Sequence, residues 1–383
     1  MTPPAFLSDP GVARIWDALA GARVVGGAVR DALAGRETAD VDLATPDEPE
    51  AVIEALGGAG IKVVATGLAH GTVTAVVEGR GYEVTTLRRD VATDGRHAIV
   101  AFTGDWRQDA ARRDFSINAM SMARDGELFD YFSGEADLAA GRIRFVGDPA
   151  ARIAEDFLRV LRFFRFYARF GAAAPDRATL DALRGGIPGL GGLSIERVWS
   201  ELRRILDAPD PSAALLLMDR LGVWAAVAPE AAAVARLAGL PANAILRLAA
   251  MLTGDPSALA TRLKLSNEDR DRLVRLLATP RISGSDAALR SLLADHRTED
   301  LIDRTWLDGD ADARRRLSSM ERPVFPLEGR DVVALGVASG PAVGALLRDV
   351  RQWWLDGGCI ADRVACGSEL ARRVNLANMS AKR

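Results

Sequence analysis

A chain of 383 residues, 49% hydrophobic and 26% charged, is long enough for two to four packed units. It has no low-complexity tract, no basic N-terminus leading into an apolar core, and no apolar run near the ~18 residues that span a bilayer, so disordered, secreted and membrane-spanning classes are not expected. The net charge of −3 and pI of 5.8 speak against a nucleic-acid partner only in sum, because the charge is segregated. Residues 152–169 carry five arginines against Glu155 and Asp156, and 370–383 hold Arg372, Arg373, Lys382 and Arg383 with no acidic side chain. Two cysteines, Cys359 and Cys366, are too few for a disulfide framework and lack zinc-site spacing; they fit structural thiols in a cytoplasmic protein.

Up to about residue 148 short β runs alternate with helices. Strands are expected at Val24–Val25, Val41–Leu43, Lys62–Ala65, Thr72–Val77, Tyr82–Leu87 and Ile99–Phe102, and helices at 28–34, 49–56 and 106–121. Glu-Gly-Arg-Gly between the fourth and fifth runs is a hairpin signal. This is an α+β unit with a small mixed sheet. After Pro149 the chain turns rich in alanine, leucine and arginine at helical spacing, with breaks near Gly185–Gly192, Pro209–Pro211, Pro229, Pro241, Pro280–Ser285 and Pro323–Pro326. An all-helical second half is expected, its last unit starting near Pro323, and no fixed repeat points to a solenoid.

The stretch from Arg23 to Thr45 carries the first chemistry. Gly26 and Gly27 end a strand and open a helix, so the backbone can approach a ligand and unpaired N–H groups face it. Such a terminus attracts phosphate, and Arg30, one turn on, adds a charged fork. The spacing matches neither the G-x-x-x-x-G-K-[ST] loop nor the G-x-G-x-x-G fingerprint. Asp40 and Asp42, at i and i+2 of an expected strand, point to one face. Their mutual repulsion would be relieved by a divalent cation, and hard oxygen donors suit Mg²⁺. With a triphosphate beside it, the pair suits in-line attack at the α-phosphorus with departure of pyrophosphate. Glu83, on the second strand of the hairpin, is the candidate third carboxylate; an outward-facing strand glutamate is the plainer alternative.

Residues 154–170 read as one helix. Asp156, Arg159, Arg162 and Arg165 recur every three residues and form a drifting row on one flank, while Leu158, Leu161, Phe163, Phe166 and Phe170 cover the core side. The row is either a solvated face with an i,i+3 ion pair or a reader of nucleotides. An aspartate only accepts hydrogen bonds and an arginine only donates them. Cytosine and adenine both set an amino donor beside a ring-nitrogen acceptor, so Asp156 with Arg159 would take either and reject guanine and uracil.

In combination these motifs resemble the class II tRNA nucleotidyltransferases, the CCA-adding branch of a family shared with bacterial poly(A) polymerases. The match covers roughly residues 20–205. It rests on Gly-Gly-Ala-Val-Arg-Asp at 26–31, Asp-Val-Asp at 40–42, His-Gly-Thr-Val-Thr at 70–74 and Tyr-Glu-Val-Thr-Thr-Leu-Arg-Arg-Asp at 82–90. Asp-Gly-Arg-His at 94–97, Arg-Arg-Asp-Phe-Ser-Ile-Asn-Ala at 112–119, Glu-Asp-Phe-Leu-Arg-Val-Leu-Arg at 155–162 and Ser-Ile-Glu-Arg-Val-Trp-Ser-Glu-Leu at 194–202 complete it. The resemblance implies that Gly26, Gly27 and Arg30 hold the triphosphate, Asp40 and Asp42 the Mg²⁺, and that Arg113 contacts the nucleotide. It implies Asp156 and Arg159 as the base-reading pair, with Arg162 and Arg165 supporting base or phosphate. The 88–97 segment is similar to the family's flexible element that helps the switch from C to A addition.

The implied architecture is a catalytic head (1–148) and a helical neck (149–207), body (208–322) and tail (323–383), the last parts holding tRNA. The implied reaction adds C, C and A to the tRNA 3′ end from CTP and ATP. Ser133 stands where the family carries the first glycine of a pair, which bears on hinge freedom between head and neck. None of His70, His97 and His296 forms the His-Asp pair of a metal phosphohydrolase domain. A poly(A) polymerase is the nearest alternative; Thr66-Gly-Leu-Ala-His-Gly-Thr72 in place of a basic-aromatic signature, and no long basic extension, weigh against it. Enzymes adding only A or only the two Cs share these motifs. Intact Asp40 and Asp42 argue against a retired catalytic head.

Overall fold

A computed structural model describes residues 3–38, 40–93, 98–231, 234–282 and 284–380. The chain forms two compact units, Met1–Val234 with Arg262–Lys264, and Ala235–Thr261 with Leu265–Arg383. Among the described residues no helix is long and apolar enough to cross a membrane.

The first unit is built on nine short strands: β1 (Arg23–Val25), β2 (Leu43–Thr45), β3 (Lys62–Gly67), β4 (Thr72–Val77), β5 (Arg80–Thr86), β6 (Arg88–Thr93), β7 (Ala98–Phe102), β8 (Met120–Met122) and β9 (Leu128–Asp130). Seven of them make one sheet in the order β3-β4-β5-β2-β1-β8-β9, while β6 and β7 pair separately as an antiparallel ribbon. β2 runs parallel to β5 with Leu43 beside Val84, and antiparallel to β1, so the sheet is mixed as expected. The β4–β5 turn uses Glu78 and Gly79, both at positive φ (51° and 81°), the two-residue geometry that follows the natural strand twist. Alternation along β4 buries Val73, Ala75 and Val77 on one face. That face meets α1 (Pro10–Ala18), α2 (Gly27–Leu33) and α3 (Pro49–Gly58) through Ile15, Trp16, Val29 and Leu56, all buried with Val24 and Leu43. Asp9 caps α1 by accepting from the Gly11 and Val12 N–H groups, and also accepts a hydrogen bond from the Tyr82 hydroxyl at 2.8 Å, tying the helix to β5.

Three expectations are corrected. The strand expected at Val41–Leu43 lies at Leu43–Thr45, so Asp40 and Asp42 precede the sheet instead of sitting within it. The helix expected over 106–121 ends early: α4 spans Trp106–Ala111. Beyond it the backbone turns to pair with 144–146, through Ser116 N–H to the Arg144 carbonyl (2.9 Å) and Val146 N–H to the Asp114 carbonyl (3.1 Å), which seats Phe115 against Phe145 in the core. The helix expected over 154–170 is two helices. After α5 (Gly134–Ala139) come α6 (Pro149–Glu155) and α7 (Leu158–Phe170), with Asp156 between them in extended backbone at φ −154°. The Asp156 carboxylate accepts from the Leu158 N–H at 3.0 Å, just ahead of the N-cap residue Phe157, so Asp156 stands outside the helical row. Leu158, Leu161, Phe163 and Phe166 are buried as expected, and Phe170 is half-buried.

α8 (Arg177–Gly186), α9 (Ile195–Leu206) and α10 (Ser212–Leu221) continue the helical part of this unit, with α9 and α10 packed on α7. The second unit is helical among its described residues. One of its cores gathers Leu289, Leu293, Leu301 and Leu317, and another Val350, Trp354, Cys366 and Leu370. Both cysteines are free thiols. A helix begins at Pro341, next to Gly340.

Candidate active site

The C-terminal end of β1 and the N-terminal end of α2 meet at Gly26, which takes φ 66° and ψ −118°. A Cβ there would be strained at this φ and would stand 2.7 Å from Arg113 Nη1, so the turn itself favours glycine and any side chain would push the guanidinium aside. At this point a cleft of about 830 Å³ opens. It is lined by Gly26, Gly27, Arg30, Asp40, Asp42, Arg113, Asp156, Arg159, Arg162 and Arg165, together with Arg88, Arg112, Asp114, Asn118, Leu158, Phe166, Arg197 and Arg204. Nine arginines against four aspartates give the cleft a strong positive surplus, the field a triphosphate needs.

Arg30, Arg113, Arg162 and Arg165 are each held by a neighbour. Arg30 Nη1 donates to Asn118 Oδ1 at 2.5 Å, its Nε donates to Asp31 at 2.9 Å, and its plane lies over the Phe166 and Phe170 rings at 5.1 and 4.8 Å. Burial draws the pKa of both Arg30 and Arg113 down, and their aspartate neighbours Asp31 and Asp109 oppose it. Arg162 Nε donates to Asp114 Oδ2 at 2.7 Å. Burial alone would raise Asp114, but the Arg162 charge and bonds from Asn118, Arg162 and the Phe115 N–H hold it below the usual carboxylate range. Arg165 lies 2.7 Å from Glu201, which is buried on α9; burial pushes Arg165 down to about 10 against that partner's pull, so it stays charged at neutral pH.

Asp156 and Arg159 both face the cleft, but they are not bonded to each other. Arg197 Nη2 donates to Asp156 Oδ2 at 2.7 Å, while Arg159 pairs with Glu155 and donates to the Arg152 carbonyl at 2.7 Å. The i,i+3 ion pair of the solvated-face alternative is therefore absent, because the helix break turns Asp156 toward α9. Arg197, Asp114, Asn118, Arg112, Arg88 and Arg204 are cleft residues that the sequence reading left without a role. All but Arg204 lie inside quoted motifs, Arg88 in 82–90, Arg112, Asp114 and Asn118 in 112–119 and Arg197 in 194–202, so the signal was present there but without an assigned partner.

Asp40 and Asp42 sit exposed at the cleft, just ahead of β2. The protein around the Asp42 carboxyl strips water from it and, with the charges of Glu83 and Asp40, pushes its pKa up, while Arg113 opposes. Glu83 does not line the cleft. It projects from β5 on the face opposite Tyr82 and Val84, and the parallel register that sets Leu43 beside Val84 brings it next to Asp42. Among the described residues no three acidic, histidine or cysteine side chains converge as a ready-made metal cluster. The donor set nevertheless fits a hard divalent cation: carboxylate oxygens crowded enough to disfavour a second negative charge, and room for water and phosphate oxygens to complete the shell.

Of the segment 88–97, similar to a flexible loop, residues 88–93 form strand β6; Asp94-Gly-Arg-His97 lies outside the described residues, as do Lys382 and Arg383. Arg88 itself is anchored, its N–H to Asp109 at 3.2 Å and its guanidinium to the His70 carbonyl. Ser133, at the position of a family glycine, adopts left-handed φ 60° and starts α5.

Comparison with known proteins agrees in two independent ways. Residues 22–144 match the model of the poly A polymerase head domain, and residues 174–234 that of the probable RNA and SrmB-binding site of polymerase A. The chain is 38% identical over 371 residues to the mitochondrial CCA tRNA nucleotidyltransferase 1 of Mus musculus, covering 88% of this chain and 83% of that one. It is 30% identical to the CCA-adding enzyme of Lacticaseibacillus paracasei, covering 86% of each. The fold superposes on the Bacillus stearothermophilus CCA-adding enzyme in complex with CTP with a TM-score of 0.78 and 26% identity, over 97% of this chain and all of that one. The Thermotoga maritima CCA-adding enzyme complexed with tRNA shares the fold at a TM-score of 0.72 and 19% identity, over 96% and 98% of the two chains.

Proposed function

The chain belongs to the CCA tRNA nucleotidyltransferase family, and we propose that its cleft side chains divide the work of building the CCA end as follows. The reaction is the template-independent addition of C, C and A to the 3′ end of tRNA from CTP and ATP, with release of pyrophosphate. Gly26, Gly27 and Arg30 cradle the triphosphate, and Arg113 contacts it from below the turn. Asp40 and Asp42 hold the divalent cation that this family uses, read here as Mg²⁺, and Glu83 completes the acidic set from the neighbouring strand. Bound there, Mg²⁺ would polarise the α-phosphate and ease deprotonation of the tRNA 3′ hydroxyl. Asp156 accepts the amino proton of cytosine or adenine and Arg159 donates to the ring acceptor. Arg162 and Arg165, fixed by Asp114 and Glu201, brace base and phosphate.

The observation that carries this reading is the convergence of the glycine–arginine cradle, the aspartate pair and Asp156 with its arginines on one cleft. Within the chain we read 1–148 as head, 149–207 as neck, 208–322 as body and 323–383 as tRNA-holding tail, and we assign the protein to the cytoplasm, although relatives include mitochondrial enzymes. The test is to offer each labelled triphosphate with Mg²⁺ to tRNAs ending before, within and after CCA. Growth that stops at CCA supports the reading. Addition of A alone or C alone would narrow the enzyme to a partial one, and an indefinite A tail would make it a poly(A) polymerase.

A further inference from the structure

Asn118 closes a short 3-10 turn (Ser116–Asn118) between α4 and β8, is 7% exposed, and touches both halves of the nucleotide site without having been given any part in it. Its Oδ1 accepts from Arg30 Nη1 at 2.5 Å and its Nδ2 donates to Asp114 Oδ1 at 2.9 Å. Its backbone carbonyl accepts from Arg113 Nη1 at 3.3 Å. Asp114, 8% exposed, passes the connection on to Arg162 of α7. The side chain thus joins the arginine on the phosphate helix α2 to an arginine on the helix that follows the base-reading aspartate.

The amide is the one neutral group whose two ends match these neighbours. A guanidinium only donates and a carboxylate only accepts, so the Asn118 orientation is forced: a flipped amide would set donor against donor at Arg30 and acceptor against acceptor at Asp114. An aspartate at 118 would keep the acceptor for Arg30 but put two carboxylates in contact; an alanine would release both neighbours. The loop is itself pinned from behind. Ser116 Oγ donates to the buried Asp137 at 2.6 Å, and Asp137 is held by Arg142 and Arg144 at 3.1 and 2.7 Å. Asn118 is therefore presented from a fixed backbone and cannot follow Arg30 if that side chain swings away.

We propose that Asn118 is a positioning residue for nucleotidyl transfer, holding Arg30 in the triphosphate cradle and, through Asp114, keeping Arg162 in register with it. The proposal rests on the reading of Arg30 and Arg162 as nucleotide contacts. Its consequence is that triphosphate binding and base selection are linked through one amide, and that the two ends of the amide can be separated by mutation.

Equilibrium binding of CTP and ATP, together with single-turnover incorporation of each of the four nucleotides onto a tRNA lacking its CCA end, reads the two sides apart. N118A should weaken CTP and ATP binding by roughly tenfold or more and also erode the preference for C and A over U and G. N118D, which spares the Arg30 bond, should leave triphosphate affinity within about threefold while lowering that preference by roughly tenfold. Thermal melts establish that each variant is folded, and if N118A does not fold, N118D alone decides through its split between affinity and selection. Unchanged affinity and selection in folded N118D and N118A overturns the proposal, and so does an equal loss of both in N118D. R30A and R162A are the reference: if they too leave binding and selection untouched, the site reading has failed, whereas strong effects there with silent Asn118 variants remove only the positioning role.

Discussion

Arg162 and Arg165 on α7 answer carboxylates far away in the chain, Asp114 and Glu201, whose side chains are 8% and 5% exposed. In the second unit Arg315 answers Asp312 three residues before it, with that aspartate 61% exposed. Both regions are arginine-rich helical segments and look alike in composition. They differ in what the acid does. A buried acid reached across the fold fixes a guanidinium in one place and order, and removing it leaves an unpaired charge; an exposed acid one turn away costs little to lose because water replaces it. Arginine count therefore says little about where a ligand binds, and the distance in sequence to the partner says more.

The sharpest way to break this contrast is at the metal pair. D42A should lower nucleotidyl transfer by roughly a thousandfold or more, with tRNA binding retained, since on our proposal it removes a ligand of the cation from an otherwise intact cleft. Full incorporation by the purified variant would withdraw Asp42 from the site. Next comes D156A, which should relax discrimination against UTP and GTP by about ten- to a hundredfold while affinity for CTP changes much less. Misincorporation measured nucleotide by nucleotide checks it, and selectivity equal to the parent enzyme would leave the base to be read elsewhere.

The third test sets the two regions side by side in stability. E201A strands the buried Arg165 and should cost about 3 kcal/mol, visible in chemical denaturation, whereas D312A should leave the melting temperature where it was. Equal effects would erase the distinction between the two kinds of pair. The mildest expectation is one of pH. Hydrogen bonds from Arg372, seconded by Arg373, hold Glu369 down to about 2 against the effect of burial. Its folded pKa lies below the unfolded one, so the stabilisation is complete above about pH 4.5 and drains away as pH falls toward 2. Urea midpoints followed by tryptophan fluorescence should fall across that window, and E369Q should flatten the fall.

Much of the site could be read before the fold. Gly26, Gly27, Arg30, Asp40, Asp42, Arg159, Arg162 and Arg165, which local spacing grouped, all reach one cleft, and Arg113, which only the family resemblance supplied, reaches it too. β4 lies where its alternation put it, at Thr72–Val77. What escaped was tertiary. No proline or glycine marks the break at Asp156; its only local sign was an aspartate two residues ahead of an apolar helical run, the pattern of a cap. The overlong helix over 106–121 had acceptable periodicity, and it was the pairing of 114–116 with 144–146 that won. Arg197, which holds Asp156, comes from a helix 41 residues on, and no spacing rule connects them.

The placement of β1 and β2 carries one more consequence, for how the protein fails. Both strands are three residues long, yet they sit in the interior of the seven-stranded sheet, with β5 on one side and β8 on the other, and Val24 and Leu43 are wholly buried. The ends that carry the glycine turn and the aspartates cannot fray as terminal strands do, since opening either one means parting the whole sheet. Heat should then silence the active end in the same cooperative step that melts this unit, with amide protons of Val24 and Val25 among the last to exchange.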